Sequence, residues 1–110
     1  MKLSELLSGL ELLELHAEPE MEITGISYDS RTTKPGDLFV AVVGYETDGH
    51  RFIGKALAAG AAAVLCERAP EETVPYARVA ASRRALSLVS ANWFGHPADA
   101  MTMIGVTGTN

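Results

Sequence analysis

Asp29, Arg31 and Asp37 surround a Pro35-Gly36 turn, and two carboxylates beside a guanidinium could serve a catalytic or metal-binding cluster. Without a nearby histidine or third ligand, however, two carboxylates make a poor metal site. Such a set around a turn is better suited to charge-assisted bonds that hold a loop, and that is the expectation here. His50 and His96 have no partners at metal-ligand spacing and read as helix-end residues; His16 reads as a loop residue. Cys66 closes an apolar run over residues 61–66. With no cationic neighbour to favour a thiolate, it reads as a small buried residue rather than a nucleophile. At the other end of the chain, a strand-like stretch over 101–106 leads into Thr107-Gly108-Thr109-Asn110. A strand followed by a Gly/Thr-rich turn is how a phosphate-binding loop begins, with a helix N-terminus still to come. Taken alone, a Gly-Thr-Asn turn is weak evidence, since many strands end in one.

These residues need a scaffold, and 110 residues fit one compact domain with no room for two. At 47% hydrophobic, the chain can build an ordinary core without disulfide or metal staples. The net charge is −5 and the cations are scattered. The densest pair, Arg83-Arg84, falls in the first turn of an expected helix, which argues against a broad basic face for nucleic acid. An anionic small molecule would have to be held by backbone N–H groups or by one or two local side chains. One unpaired cysteine suits a reducing compartment. No apolar stretch approaches the ~20 residues of a membrane span, and the start lacks a cleavable leader pattern. The expectation is a cytoplasmic protein that does not engage membranes. Nothing in the sequence demands a partner chain, so a monomer is expected.

Leu3, Leu6, Leu7, Leu10 and Leu13 recur at helical spacing, with Ser4 as the expected cap and a break near Gly9. Residues 22–28 alternate like a strand, and 29–36 are loop chemistry. The unbroken apolar run 38–43 predicts a strand buried on both faces. After a polar loop over 44–49, Asp48 is expected to cap a helix whose apolar face is Phe52, Ile53, Ala56 and Leu57, ending at Gly60. A buried strand over 61–66, a loop over 67–75 and a short strand over 76–80 follow. A third helix, capped by Ser82, carries Leu86, Val89 and Trp93 inward and ends at Gly95 and Pro97. Trp93 reads as core. Alternating strands and helices give an α/β fold: a single domain with a mixed β-sheet flanked by helices.

Three stretches, taken together, resemble the Mur ligases, in particular the branch that makes UDP-N-acetylmuramoyl-tripeptide. The first is Ser27-Tyr28-Asp29-Ser30-Arg31 followed by Pro35-Gly36-Asp37-Leu38-Phe39-Val40-Ala41. The second is Gly44-Tyr45-Glu46-Thr47-Asp48-Gly49-His50-Arg51-Phe52-Ile53, then Ala56 and Gly60-Ala61. The third is Gly105-Val106-Thr107-Gly108-Thr109-Asn110, similar to the start of that family's ATP loop. Order and spacing match from about residue 23 to the end of the chain.

The resemblance implies the N-terminal domain of a three-domain, ADP-forming amide ligase of cell-wall synthesis, cut where its ATP loop begins. Residues 1–99 would be the UDP-MurNAc-binding domain, and 100–110 the first strand and loop start of a central ATPase domain. The substrate implied is UDP-MurNAc-L-Ala-D-Glu, to which meso-diaminopimelate or L-lysine is added. ATP would phosphorylate the substrate carboxylate, the amine would attack that acyl phosphate, and Mg²⁺ would stabilise the transferring phosphoryl group.

By match to the family motif, Tyr28 and Ser30 would contact the UDP-sugar, Ser30 through its hydroxyl; the plain alternative for Ser30 is a capping serine. Tyr45, Glu46 and Thr47 match a second nucleotide-contacting loop, in which the Tyr45 ring could pack on uracil and backbone groups could read its edge. That loop departs from the histidine-bearing version of the family. Gly108, Thr109 and Asn110 would form part of the ATP phosphate cradle, and no catalytic or metal-binding residue falls within this stretch, which alone would be inactive. Two alternatives stand beside this reading. One is the D-Ala-D-Ala-adding ligase of the same family, which more often reads Gly-Ser where this chain reads Gly-Thr. The other is a stand-alone, non-catalytic nucleotide-sugar-binding module.

Overall fold

The computed structural model describes residues 1–44 and 47–95. The expected strand over 101–106, the loop start at Gly108, Thr109 and Asn110, His96, Tyr45 and Glu46 lie outside the described residues. The elements run α1 (Leu3–Leu6), β1 (Glu14–His16), β2 (Gly25–Ser27), β3 (Asp37–Val40), a 3-10 turn (Gly49–Phe52), α2 (Ile53–Ala58), β4 (Ala63–Cys66), β5 (Tyr76–Arg78) and α3 (Ser82–Phe94). Their strands form one mixed sheet in the order β1-β5-β4-β3-β2. β2, β3, β4 and β5 run parallel, and β1 lies antiparallel on the β5 edge. This is the α/β class with a mixed sheet that the alternation of patterns predicts.

Period-two geometry sends alternate residues of each strand to opposite faces, so a strand covered on both sides must be apolar throughout. Leu38, Val40, Ala63, Leu65, Ala77 and Val79 pack with Leu3, Leu6, Leu7, Ala85 and Val89 from α1 and α3. Phe39, Ala41, Val64 and Cys66 pack with Ile53 and Ala56 of α2 on the other face. Leu38, Phe39 and Val40 are all essentially inaccessible. Full burial of each such side chain contributes roughly 1.5–3 kcal/mol, which makes β3 the strand on which both layers assemble. Cys66 is buried as expected, and burial pushes its thiol up to about 11.

Several local expectations are corrected. The first helix is capped at Lys2, not Ser4: Glu5 accepts the Lys2 backbone N–H at 3.1 Å. It ends after one turn, and the chain turns through Gly9 at φ 88°. Leu10 and Leu13 therefore lie beyond the helix. His16 belongs to β1, where its ring stacks on Tyr76 at 4.9 Å between centroids. Pairing across to β5 wins there over a local sequence with a single apolar residue. The cap of α3 is Ala81, not Ser82. Ser82 is the first helical residue and is fully buried, because its hydroxyl is used elsewhere. Asp48 does cap, accepting the His50 backbone N–H at 2.9 Å, but a 3-10 turn comes before α2.

Gly60 ends the α2 segment at φ +107°, where a Cβ would stand 2.8 Å from Pro35 Cα. Its carbonyl accepts the Gly36 N–H, so the turn after α2 is tied to the turn before β3. Gly60→Ala combines left-handed strain with a backbone clash, for an expected loss of roughly 2–4 kcal/mol. Urea denaturation followed by circular dichroism would read this as a lowered midpoint at unchanged slope. A midpoint equal to that of the parent chain would contradict the constraint.

Candidate functional site

In open α/β sheets the connecting loops leave a crevice outside the carboxyl ends of the strands, and ligands bind there. In this chain two loops rise from the carboxyl ends of β2 and β3. They enclose a cleft of about 530 Å³ lined by Tyr28, Ser30, Arg31, Thr47, Phe52 and Lys55, with Asp29, Val42, Gly44 and Gly49 completing it.

Asp29 builds the first lip. Its carboxylate accepts the Arg31 backbone N–H at 2.9 Å and the guanidinium at 3.1 and 2.7 Å. Its carbonyl accepts the Thr32 N–H and both the Thr32 and Thr33 hydroxyls. Thr33 is buried and shares a 3.0 Å hydrogen bond with Ser27 Oγ at the end of β2. Six bonds thus converge on one residue and fix the turn. Ser30 sits at its apex, and its hydroxyl makes no hydrogen bond among the described residues. The capping alternative for Ser30 therefore finds no support in the described bonds. Tyr28 is 65% exposed, its ring open to the cleft mouth.

The second lip leaves β3 through Val42 to Gly44, and its described part resumes at Thr47 and returns at Gly49. Gly44 N–H donates to the Thr47 carbonyl and Gly49 N–H to the Val42 carbonyl, both at 2.8 Å. Gly49 lies so close to the strand end that a Cβ would stand 2.7 Å from Val42 N. Below it, the His50 ring is largely buried. Its Nε2 accepts backbone N–H groups of Glu67 and Arg68 at 3.0 and 3.1 Å. That leaves Nδ1 to carry the proton and donate to Asp48 at 2.7 Å. Burial works against the Asp48 charge, but Arg68 at 2.6 Å and His50 overcome it and hold the carboxyl well below its usual range. Glu67 in turn accepts the N–H and hydroxyl of Ser82, whose Oγ accepts the Val43 N–H at 3.0 Å.

The Asp29, Arg31 and Asp37 set divides. Asp29 and Arg31 pair at the cleft, while Asp37, at the opposite end of β3, accepts the Lys34 N–H at 2.9 Å. Both uses hold loops, as the sequence reading expects. Of the sequence-derived site residues, Tyr28, Ser30 and Thr47 come together at one cleft. Sequence reasoning missed Phe52 and Lys55. Phe52 reads as core by its spacing, and Lys55, three residues on, shares a helical face with it, the one signal that could have found the pair.

A family model described as "Mur ligase family, catalytic domain" matches residues 22–105. The chain belongs to the Mur ligase family. It is 45% identical over its whole length to the UDP-N-acetylmuramoyl-L-alanyl-D-glutamate–2,6-diaminopimelate ligase of Chlorobium phaeobacteroides, and 41% identical to the ligase of the same name from Clostridium tetani. It spans 23% and 24% of those relatives, less than a quarter of their length. Among solved structures, one similar to this Mur ligase chain is the UDP-N-acetylmuramoylalanyl-D-glutamyl-2,6-diaminopimelate–D-alanyl-D-alanyl ligase from Acinetobacter baumannii, with a TM-score of 0.69 at 29% identity. That match covers 88% of this chain and 21% of the other. A MurF ligase from Thermotoga maritima in complex with ADP matches at a TM-score of 0.56 and 34% identity, over 64% and 16% of the two chains.

Hydrogen bonds from Arg31, first from its side chain and then from its backbone, lower the Asp29 carboxyl from 3.8 to about 2. A depressed carboxyl stabilises the fold above its ordinary value, so this contribution is complete above pH 3.8 and is lost as pH falls through about 2. Carboxyl NMR titration should give Asp29 a midpoint near 2, and Arg31→Ala should return it toward 3.8. A midpoint unmoved by Arg31→Ala would mean that the pair does not form in solution.

Proposed function

We propose that this chain is the N-terminal, substrate-binding part of an ATP-dependent, ADP-forming amide ligase that adds meso-diaminopimelate to UDP-MurNAc-L-Ala-D-Glu. Its cleft takes the uridine end of that substrate. The observation that carries this reading is the pairing of relatives and site. Full-chain identity of 45% and 41% falls on ligases of that name, and the motif residues Tyr28, Ser30 and Thr47 line one open cleft. The ring of Tyr28 offers a face for uracil, and the Ser30 hydroxyl a donor and acceptor for uracil or ribose. Tyr45 and Glu46 belong to the same loop in sequence and enter this reading by their position in the motif alone.

ATP and Mg²⁺ belong to the rest of the ligase. Among the described residues no group of three His, Cys, Asp or Glu side chains comes together to hold a metal ion, and Gly108, Thr109 and Asn110 lie outside them. This part of the chain binds and orients, and none of its residues is assigned to the chemical step. Among the described residues no helix is long and apolar enough to cross a membrane. The D-Ala-D-Ala-adding ligase is the competing reading. It draws on structural likeness at 29% identity, against 45% for the diaminopimelate-adding relative.

Titrating the isotope-labelled chain with UDP-MurNAc-L-Ala-D-Glu should shift the amide signals of Ser30 and of residues 45–47, while ATP alone should not. Shifts confined elsewhere, or larger ones with ATP, would move the site away from this cleft. In a full-length ligase, Ser30→Ala should raise KM for the UDP substrate about ten-fold and leave kcat nearly unchanged, because a uracil contact persists unaltered through the reaction. A loss confined to kcat would assign Ser30 to the chemistry instead.

A further inference from the structure

We infer that Lys55 is the cleft's contact for the diphosphate of a nucleoside diphosphate ligand, a role that rests on the nucleotide reading above. Among the described residues, three charged side chains line the cleft: Asp29, Arg31 and Lys55. Asp29 and Arg31 cancel each other through their paired bonds, and Arg31 spends its guanidinium on holding the turn. Lys55 forms no ion pair with any described residue. It stands on α2 three residues after Phe52, so both side chains share a helical face. Its ammonium lies 5.7 Å from the centre of the Phe52 ring. Phe52 packs against the Phe39 and Ile53 core, so the platform beneath the ammonium is anchored in the fold. An exposed ammonium over an anchored ring leaves one positive charge without an ion-pair partner among the described residues, in the same cleft as Tyr28 and Ser30. An anionic diphosphate attached to a nucleoside held at those residues would meet it.

The test compares uridine, UDP and inorganic pyrophosphate by calorimetry on the 110-residue chain, its Lys55→Gln variant and its Lys55→Arg variant. The parent should bind UDP about five-fold more tightly than uridine, an advantage that shrinks as salt rises. Lys55→Gln should bind uridine as the parent does, which also reports an intact fold, yet lose the advantage for UDP. Lys55→Arg should keep most of it. Retention of the UDP advantage in Lys55→Gln overturns the assignment of Lys55 and leaves the nucleoside site standing. Pyrophosphate binding as tightly as UDP would also overturn it, since the anion would then be held independently of the nucleoside. Absence of both uridine and UDP binding overturns the nucleotide reading and the Lys55 role together.

Discussion

A parallel strand buried on both faces must hand its chain to a loop that is still close to the core, and buried backbone groups there require partners. The His50 imidazole meets this constraint at the carboxyl ends of β3 and β4. One ring nitrogen takes two backbone N–H groups from the chain leaving β4, and the other donates to Asp48 on the chain returning from β3. Two loops that share no backbone ladder are thereby fastened to one side chain. Glu67 extends the fastening by accepting from Ser82 at the start of α3, and Ser82 accepts from Val43 on the second lip. A carboxylate at a helix N-terminus is favoured by the helix dipole, and here it also satisfies the N–H of the first helical residue. The second lip of the cleft thus rests on a network with no orphaned polar group among its buried side chains.

The first lip is held differently, by one residue and its neighbours. Asp29 collects bonds from Arg31, Thr32 and Thr33, and the buried Ser27–Thr33 pair ties that turn to β2. Because Asp29 and the threonines take the structural load, Ser30 and Tyr28 are left with their polar and aromatic surfaces unspent. Binding groups on a turn fixed from below lose little freedom when a ligand arrives, which is how a loop-built site keeps its affinity.

Much of this architecture was legible in the sequence, for identifiable reasons. The apolar runs at 38–43 and 61–66 marked strands buried on both faces, and the structure puts β3 and β4 there. The Asp29/Arg31 loop was readable because charge-assisted pairs around a turn act over a few residues. β1 was not readable: its three residues include one apolar side chain, and its place is fixed by β5, more than sixty positions away by the Glu14–Arg78 register. The true partners of Ser82 and His50 were hidden for the same reason, since both bond across sequence separations no local pattern encodes. Tyr28, Ser30 and Thr47 were singled out through their motifs, and their convergence on one cleft is a product of parallel strand order. Lys55 was not singled out because the role proposed for it depends on what Asp29 and Arg31 do to each other.

The charge balance of the cleft would let a chain of net charge −5 take the anionic ligand proposed for it. Surface carboxylates more than a Debye length away are largely screened at physiological ionic strength, so the local arrangement decides. Within the cleft the one carboxylate of the described lining is already engaged by a guanidinium, and its depressed pKa keeps that engagement intact at neutral pH. The wall then offers an aromatic face, a hydroxyl and one ammonium rather than a basic patch. On the proposed reading, such a surface favours a ligand that carries a planar base and an anionic group together over one that carries either alone. If the ligand is the uridine end of a peptidoglycan precursor, these contacts lie remote from the carboxylate that is activated. Remote contacts made equally in ground and transition states lower KM, and their use to the enzyme is to anchor one end of a long substrate so that the other can be positioned.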